Sequence, residues 1–174
     1  MRYQLSSIID NLAMERKAKI DGKATAPDPP ARRAAMALLA EGDVEELRSG
    51  LAAMGPLVVH NEVRPAETGL MMVRGRIGGD GAPFNFGEAT VTRCSVQLAT
   101  GEIGHAYLLG RDRERARLAA LCDALWQAQA SHEGVERHVL APIRTRREVE
   151  QAREAARTAA TKVDFFTLVR GDNE

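Results

Sequence analysis

Two arginines beside a glycine-rich stretch form the best candidate for a binding role in this sequence. Arg74 and Arg76 precede Gly78, Gly79 and Gly81. Successive backbone N–H groups in a glycine loop can form an anion-binding nest, and arginine binds phosphate through paired hydrogen bonds. Side chains alternate along a strand, so both arginines are predicted to share one face. The pattern predicts a phosphate or triphosphate site, but its spacing matches no common phosphate loop, and a glycine-rich hairpin is the simpler interpretation.

Other side chains that often do chemistry are isolated from one another. The histidines are His60, His105, His132 and His138, and they show neither HxH nor HExxH spacing, so no metal site is predicted. Cys94 and Cys122 lie far apart in the sequence, and buried free thiols are favoured over a disulfide. No serine or cysteine occupies a nucleophile motif, so no catalytic residue is assigned.

Two acidic residues stand at predicted element junctions. Asp112 directly precedes a helical pattern, and helix capping accounts for its position. Glu67 follows Arg64 by three residues. A salt bridge between Glu67 and Arg64 is favoured over a role as general base, because no second carboxylate stands at a defined spacing.

The charges of the chain balance, with 24 Lys and Arg against 24 Asp and Glu. The chain as a whole therefore does not attract nucleic acid or an anionic membrane, and neither is a predicted partner. Apolar residues make up 44% of the 174 residues, which is enough for one globular domain with a core. The first residues lack a secretory signal and no apolar run approaches a membrane span, so a cytoplasmic location is expected.

The chain is predicted to hold one domain, residues 31–174, after an extension at residues 1–30. The extension combines a short amphipathic piece with a proline-rich stretch that resembles a linker. Two helices follow, one ending at Gly42 and the next at Gly55. Asp43 and Glu46 form a capping box for the second helix. The two helices are predicted to form a helical hairpin.

Four strand-like runs follow the helices, at residues 57–63, 70–77, 88–98 and 103–109. Their spacing and short turns predict an antiparallel four-stranded sheet. In the third run the apolar residues change from odd to even positions, which predicts a β-bulge near Thr92 and Arg93. With helices packed on the sheet, the fold class is α+β.

Two more helical patterns complete the chain. The first runs from Asp112 to Gly134 and carries an apolar stripe wide enough to lie on the sheet. The second opens at a capping box that begins at Thr145, and its seam consists of Val149 and several alanines. This helix and the tail, about residues 144–174, are interpreted as an interaction arm. The alternative is that the helix covers the open face of the chain's own sheet.

The final residues are apolar at a place where domains usually end in polar residues. The predicted interface residues are Val163, Phe165, Phe166, Leu168, Val169 and Arg170. Burial of such apolar side chains is worth roughly 1.5–3 kcal/mol each. The tail is therefore predicted to dock as a strand, either on its own domain or by edge pairing on another protein.

A series of short motifs resembles the PhnG family, the G subunit of the bacterial carbon–phosphorus lyase system. The motifs are RPAETGL at 64–70, GRIGGDG at 75–81, FGEATVTR at 86–93, GRD at 110–112, ALCDALWQ at 120–127, API at 141–143 and VDFFTLVRGDN at 163–173. They follow the family's order at about its spacings. The resemblance covers nearly all of the chain except the first thirty residues.

The resemblance implies a subunit of a multi-subunit transferase, ribose 1-methylphosphonate 5-triphosphate synthase. In that system the G, H, I and L subunits together displace adenine from MgATP by a phosphonate, and the core complex also contains a J subunit. The resemblance implies the I subunit as the nearest partner and as the site of nucleosidase chemistry. This chain is then expected to have a structural role and no cofactor of its own, with MgATP as a substrate of the complex. The alternative is that Arg74, Arg76 and the glycine loop contribute a triphosphate site.

Overall fold

The computed structural model describes residues 29–56, 58–77 and 80–162. The chain divides into two units, Met1–Ala34 and Ala35–Glu174. Of the first unit only residues 29–34 are described, and they are helical. The predicted extension at residues 1–30 therefore lies almost entirely outside the described residues.

Two helices lie where the sequence predicts them, α1 (Pro29–Glu41) and α2 (Val44–Ala53). The Asp43 backbone N–H donates to the Glu46 carboxylate at 3.0 Å, so the predicted capping interaction is confirmed. Helix α2 packs mainly against the later helices rather than against α1. The predicted helical hairpin is therefore not confirmed.

The sheet of the described residues has three antiparallel strands in the order β1-β2-β3, so the prediction of four strands is wrong. The strands are β1 (His60–Gly75), β2 (Phe84–Leu98) and β3 (Ile103–Leu109). Strand β1 combines the first two predicted runs in one strand. Register shifts between Glu62 and Glu67 stand where a turn was expected. Pro65 fits there because β1 is an edge strand and a missing N–H costs little at such a place.

A register shift lies near the predicted bulge at Thr92 and Arg93, but its extra residue is in β1, between Arg64 and Glu67, and not in β2. Strand β2 pairs with β3 through this region without a register shift. Thr92 is buried on the same face as Cys94, and its hydroxyl donates to the Gly110 carbonyl at 2.8 Å. A hydrogen-bonded threonine thus continues the inward face of the strand, and Val91 is buried on the opposite face, so the apolar pattern changes phase without an extra residue in β2.

Helix α3 (Arg113–Gln127) covers one face of the sheet. The Asp112 carboxylate accepts the Arg115 N–H at 2.9 Å, which confirms the predicted cap. Strand β3 approaches the helix most closely at Gly104, where a side chain would meet the backbone of α3. The core lies between this helix and the sheet, with buried residues of α1, α2 and the later helices around it.

Both cysteines are buried free thiols, as predicted. Burial raises the pKa of Cys122 to about 12 and also raises the pKa of Cys94. Because the thiolate is the nucleophile, we expect neither cysteine of the native protein to react with Ellman's reagent at mildly alkaline pH. After denaturation in guanidinium chloride, both should titrate. Rapid labelling of the native protein would contradict this assignment.

The predicted end of the α3 pattern at Gly134 is wrong. Helix α3 ends at Gln127, and Gly134 lies inside the next helix, α4 (Gln129–Val135). The Ser131 hydroxyl donates to the Leu125 carbonyl at 2.6 Å and so satisfies one carbonyl at the end of α3. Gly134 instead permits close packing, because a Cβ there would lie 3.1 Å from the side chain of Met54.

The predicted helix start at Thr145 is wrong as well, since the expected connector is helical. A π-helix (Glu136–Leu140) leads from α4 into α5 (Ala141–Ala160). The Ala141 N–H bonds to the Glu136 carbonyl five residues earlier, which is the π-helical pattern. Pro142 has no N–H to donate, and a helix can bypass such a residue by this local change of pattern.

Arg146 anchors the start of α5 on α2 and on the end of α1. Its guanidinium donates to the Glu46 carboxylate at 2.8 and 3.1 Å and to the Glu41 carbonyl at 2.8 Å. Partial burial raises the pKa of Glu46, but the hydrogen bonds from Arg146 and from the Asp43 N–H outweigh it and hold that pKa below its usual value. This contact fixes the direction in which α5 leaves the domain.

Beyond Arg147, every described residue of α5 is exposed, and the helix has no extensive contact with the sheet. The alternative in which this helix covers the chain's own sheet is therefore wrong. Its role as an interaction arm stays a prediction. The tail at residues 163–174 lies outside the described residues.

Candidate functional site

The β1–β2 hairpin extends beyond the rest of the sheet. Strands β1 and β2 remain paired as far as Gly75 and Phe84. Strand β3 reaches only Val91 of β2. We name the protruding part, residues 70–75 and 84–90, the hairpin arm. It carries the predicted arginines toward its tip, and it is the most exposed part of the described sheet.

Apolar side chains are exposed on both faces of the hairpin arm. Leu70 is 65% exposed and Phe86 is 76% exposed. Leu70 and Met72 alternate along β1 with Met71 and Val73, and all four are exposed. Exposed apolar patches of this kind mark interaction surfaces in folded proteins.

The two arginines of the predicted anion site are exposed and lie near the tip of the hairpin arm. Arg74 is opposite Asn85 in the sheet, and Arg76 follows the end of β1. Neither side chain forms an ion pair with the described residues. The predicted common strand face is not confirmed, because the strand ends at Gly75 and its alternation does not extend to Arg76.

The glycines of the predicted nest are described only in part. Gly78 and Gly79 lie outside the described residues. Gly81 is described, and a Cβ at this position would lie 2.2 Å from the Ile77 carbonyl oxygen. The turn therefore requires glycine at position 81 for steric reasons alone. An anion-binding nest at this loop stays a prediction.

Glu67 has a structural environment on the sheet face opposite α3. Its carboxylate accepts a hydrogen bond from the Arg93 guanidinium at 2.7 Å and lies 3.7 Å from that of Arg64. The predicted contact with Arg64 is thus present, but Arg93 is the closer partner. Glu67 and Arg93 border a cleft of about 150 Å³ that Val91 and Tyr107 also line. The Glu67 carboxylate is thus engaged in contacts within the sheet.

One pair of side chains on the sheet face opposite α3 was not predicted from the sequence. The Ser95 hydroxyl lies 2.9 Å from Nδ1 of His105 on the neighbouring strand. The short β2–β3 hairpin places these residues opposite each other, and the register of this hairpin could have predicted the contact. Among the described residues the His105 ring bonds to no carboxylate, and the pair therefore lacks the group that orients histidine in hydrolase triads.

A second polar cluster surrounds the π-helix. Trp126 Nε1–H donates to the Glu136 carboxylate at 2.8 Å, and Nδ1–H of His132 donates to the Trp126 carbonyl at 2.6 Å. The two rings are 4.7 Å apart. His132, Glu133, Glu136, Arg137 and Arg144 line a cleft of about 480 Å³. Two acidic and two basic residues border it, so the cleft favours no single ligand charge.

The described residues offer neither a metal centre nor a membrane span. Within residues 29–56, 58–77 and 80–162, no three His, Cys, Asp or Glu side chains come together as ligands would. No helix among the described residues is long and apolar enough to cross a membrane. The predicted tail interface lies outside this part of the chain; its residues are Val163, Phe165, Phe166, Leu168, Val169 and Arg170.

Comparison with known proteins identifies a family and a curated relative to which this chain is similar. The family model described as phosphonate metabolism protein PhnG matches residues 30–171. A curated protein of Rhizobium meliloti (strain 1021), the alpha-D-ribose 1-methylphosphonate 5-triphosphate synthase subunit PhnG, is 51% identical over 142 residues. The aligned part covers 82% of this chain and 90% of that relative.

Proposed function

Because this chain belongs to the PhnG family of phosphonate metabolism proteins, we propose that it is a subunit of alpha-D-ribose 1-methylphosphonate 5-triphosphate synthase. The 51% identity to a subunit of that name, over 90% of its length, carries the proposal. The complex transfers the ribose triphosphate part of ATP to an alkylphosphonate and releases adenine. This reaction belongs to the carbon–phosphorus lyase system of phosphonate catabolism. Because ATP is a cytoplasmic substrate, the subunit works in the cytoplasm.

Within this complex the chain has a structural, non-catalytic role. The nucleosidase chemistry belongs to the I subunit, and MgATP is a substrate of the complex rather than a cofactor of this chain. Two polar contacts on the sheet face opposite α3 support this role, because their members bond to each other. Glu67 is held by Arg93, and Ser95 and His105 bond to each other.

The nearest partner in this proposal is the I subunit, together with H and J in the core complex and L in the synthase reaction. Helix α5 and the tail bind the I subunit. The exposure of α5 beyond Arg147 supports this assignment, because the part of a helix that buries no side chain against its own domain gains stability from a partner.

Deletion of residues 163–174 is expected to abolish co-purification of this chain with the I subunit. The tail would contribute several apolar side chains to the interface, each worth roughly 1.5–3 kcal/mol. The deletion should leave the domain folded, since the core formed by the described residues lies between Ala35 and Ile143. The measurement is affinity capture after co-expression of the two subunits.

A shorter deletion, of residues 171–174, is the matched control for the tail. It removes only Gly171, Asp172, Asn173 and Glu174 and keeps all predicted interface residues. Co-purification should survive it. If the I subunit is still captured after the longer deletion, the tail does not form the interface.

A second candidate function places a triphosphate-binding site on the hairpin arm itself. The observation that favours it is the exposure of Arg74 and Arg76 without an ion-pair partner among the described residues. Such guanidinium groups remain available to bind phosphate oxygens. Gly81 and the undescribed Gly78 and Gly79 would complete the site.

Replacement of Arg74 and Arg76 by alanine tests this second function. If they hold the triphosphate, the apparent KM of the assembled complex for ATP should rise roughly tenfold, the effect of one or two lost charge-assisted hydrogen bonds. The control replaces Arg111 and Arg113, which are also exposed, by alanine. An unchanged KM in the Arg74 and Arg76 variant, with the complex intact, would exclude the triphosphate role.

A further inference from the structure

Neither edge of the hairpin arm has a neighbouring strand among the described residues, and the β2 edge continues in line with β3. On the side that faces β3, the last backbone hydrogen bond of β2 runs from the Gly110 N–H to the Thr90 carbonyl at 2.9 Å. Residues 84–89 of β2 continue past this point. Within the described part of the chain, no strand pairs with them on that side. Such an edge is a template for another strand.

The direction of individual backbone groups follows from the pairing. In an antiparallel strand, the N–H and C=O of one residue point to the same side, and successive residues alternate. The Thr90 carbonyl points toward β3, so the backbone groups of Glu88 point to the unpaired edge. Gly87 and Ala89 point toward β1 and belong to the existing ladder. Glu88 therefore offers an edge N–H whose removal leaves the β1–β2 ladder intact.

Exposed aromatic residues border the open edge of β2. Phe84 and Phe86 lie on β2 itself and are 38% and 76% exposed, whereas Leu70, Met71, Met72 and Val73 lie on β1, one strand further away. An added strand places apolar side chains beside the two phenylalanines and pairs the open backbone edge as well. A two-stranded ribbon alone is marginally stable, so a third strand would also stabilise the hairpin arm.

The charges of the hairpin arm specify the partner segment further. Glu88 lies opposite Met72 in the sheet, and Arg74 follows on the same face of β1. Neither Glu88 nor Arg74 forms an ion pair with the described residues. A segment that pairs with β2 is favoured by a basic residue facing Glu88, because opposite charges on neighbouring strands stabilise a sheet.

We infer that the edge of β2 at residues 84–89 binds an extended segment of another subunit of the synthase, which joins the sheet in line with β3. The segment carries apolar side chains beside Phe84 and Phe86 and a basic residue that faces Glu88. This inference rests on the proposed function, since it takes the partner from the same complex. It adds a second contact that is separate from α5 and the tail.

The test compares Glu88→Pro with Glu88→Ala in the complex obtained by co-expression with the H, I and L subunits. Proline removes the edge N–H and places its ring toward the incoming strand, so affinity for the complex should fall at least about tenfold. Alanine removes only the charge, and the loss should stay below about threefold. In wild type, hydrogen exchange at residues 84–89 should slow at least about tenfold on assembly.

Two results would overturn the inference and leave the proposed function standing. One is assembly of a folded Glu88→Pro variant with unchanged affinity, and the other is wild-type exchange at residues 84–89 that does not slow in the complex. Protection already present in the free chain and lost on deletion of residues 163–174 would also overturn it, because the chain's own tail would then occupy the edge. If the wild-type chain assembles with none of the subunits, the proposed function falls together with the inference.

Discussion

Gly104→Ala is expected to destabilise the protein by about 3 kcal/mol, because it forces β3 away from α3. A Cβ at this position would lie 2.0 Å from the Ala120 carbonyl oxygen and 2.3 Å from the Ala124 backbone nitrogen. Both atoms belong to the helix backbone and cannot turn aside as a side chain could. For a chain of this size, the melting temperature should fall by roughly 6–12 °C in thermal unfolding followed by circular dichroism.

Gly69→Ala is the matched control for this substitution. Gly69 also lies in the sheet, but a Cβ there would meet no atom within 4 Å. Alanine in a strand interior is favoured over glycine by roughly 0.5–1 kcal/mol, so the control should melt at the same temperature or slightly higher. Equal melting temperatures for Gly104→Ala and the wild type would contradict the close contact between β3 and α3.

Asp123→Ala is expected to cost about 2–3 kcal/mol of unfolding free energy in urea titrations. Asp123 is a buried charged residue on α3, and its carboxylate accepts the backbone N–H of His105 at 2.8 Å. This N–H lies in β3, on the edge of the sheet, where no further strand of the described residues offers an acceptor. Alanine would leave the N–H buried and unsatisfied, and the amide of His105 should then exchange faster with deuterium.

Asp123→Asn separates the hydrogen bond from the charge. Asparagine keeps an acceptor oxygen of the same reach, so it should preserve most of the stability and most of the protection of His105. The order expected is wild type, then asparagine, then alanine. An alanine variant with wild-type stability and unchanged exchange at His105 would show that the side chain does not hold this edge.

The elements that depend on local chemistry were predictable from the sequence. Asp43 with Glu46, and Asp112, mark the starts of α2 and α3 because a cap is made within one turn of the chain. Predictions of element boundaries were wrong where the fold accommodates a proline that usually interrupts a strand or a helix. Pro65 sits inside β1, where edge position and register shifts accommodate it. Pro142 sits near the start of α5, where the π-helix accommodates it.

The candidate surfaces were only partly predictable for a related reason. Apolar strands around Leu70 and Phe86 are visible in the sequence, and such residues are normally core. They are exposed because β3 ends before the β1–β2 hairpin does. The relative lengths of neighbouring strands determine whether such residues are exposed, and the sequence of one strand does not give these lengths. The Ser95–His105 pair, by contrast, follows from the register of a short hairpin.

If this chain acts as a subunit rather than alone, it should form a complex with the I subunit of the same organism when the two are co-expressed. Size-exclusion chromatography with light scattering measures the mass of each eluted species. We expect one joint peak whose mass includes both subunits. Separate elution, with this chain as a folded monomer that also does not bind the H and L subunits, would contradict the subunit role.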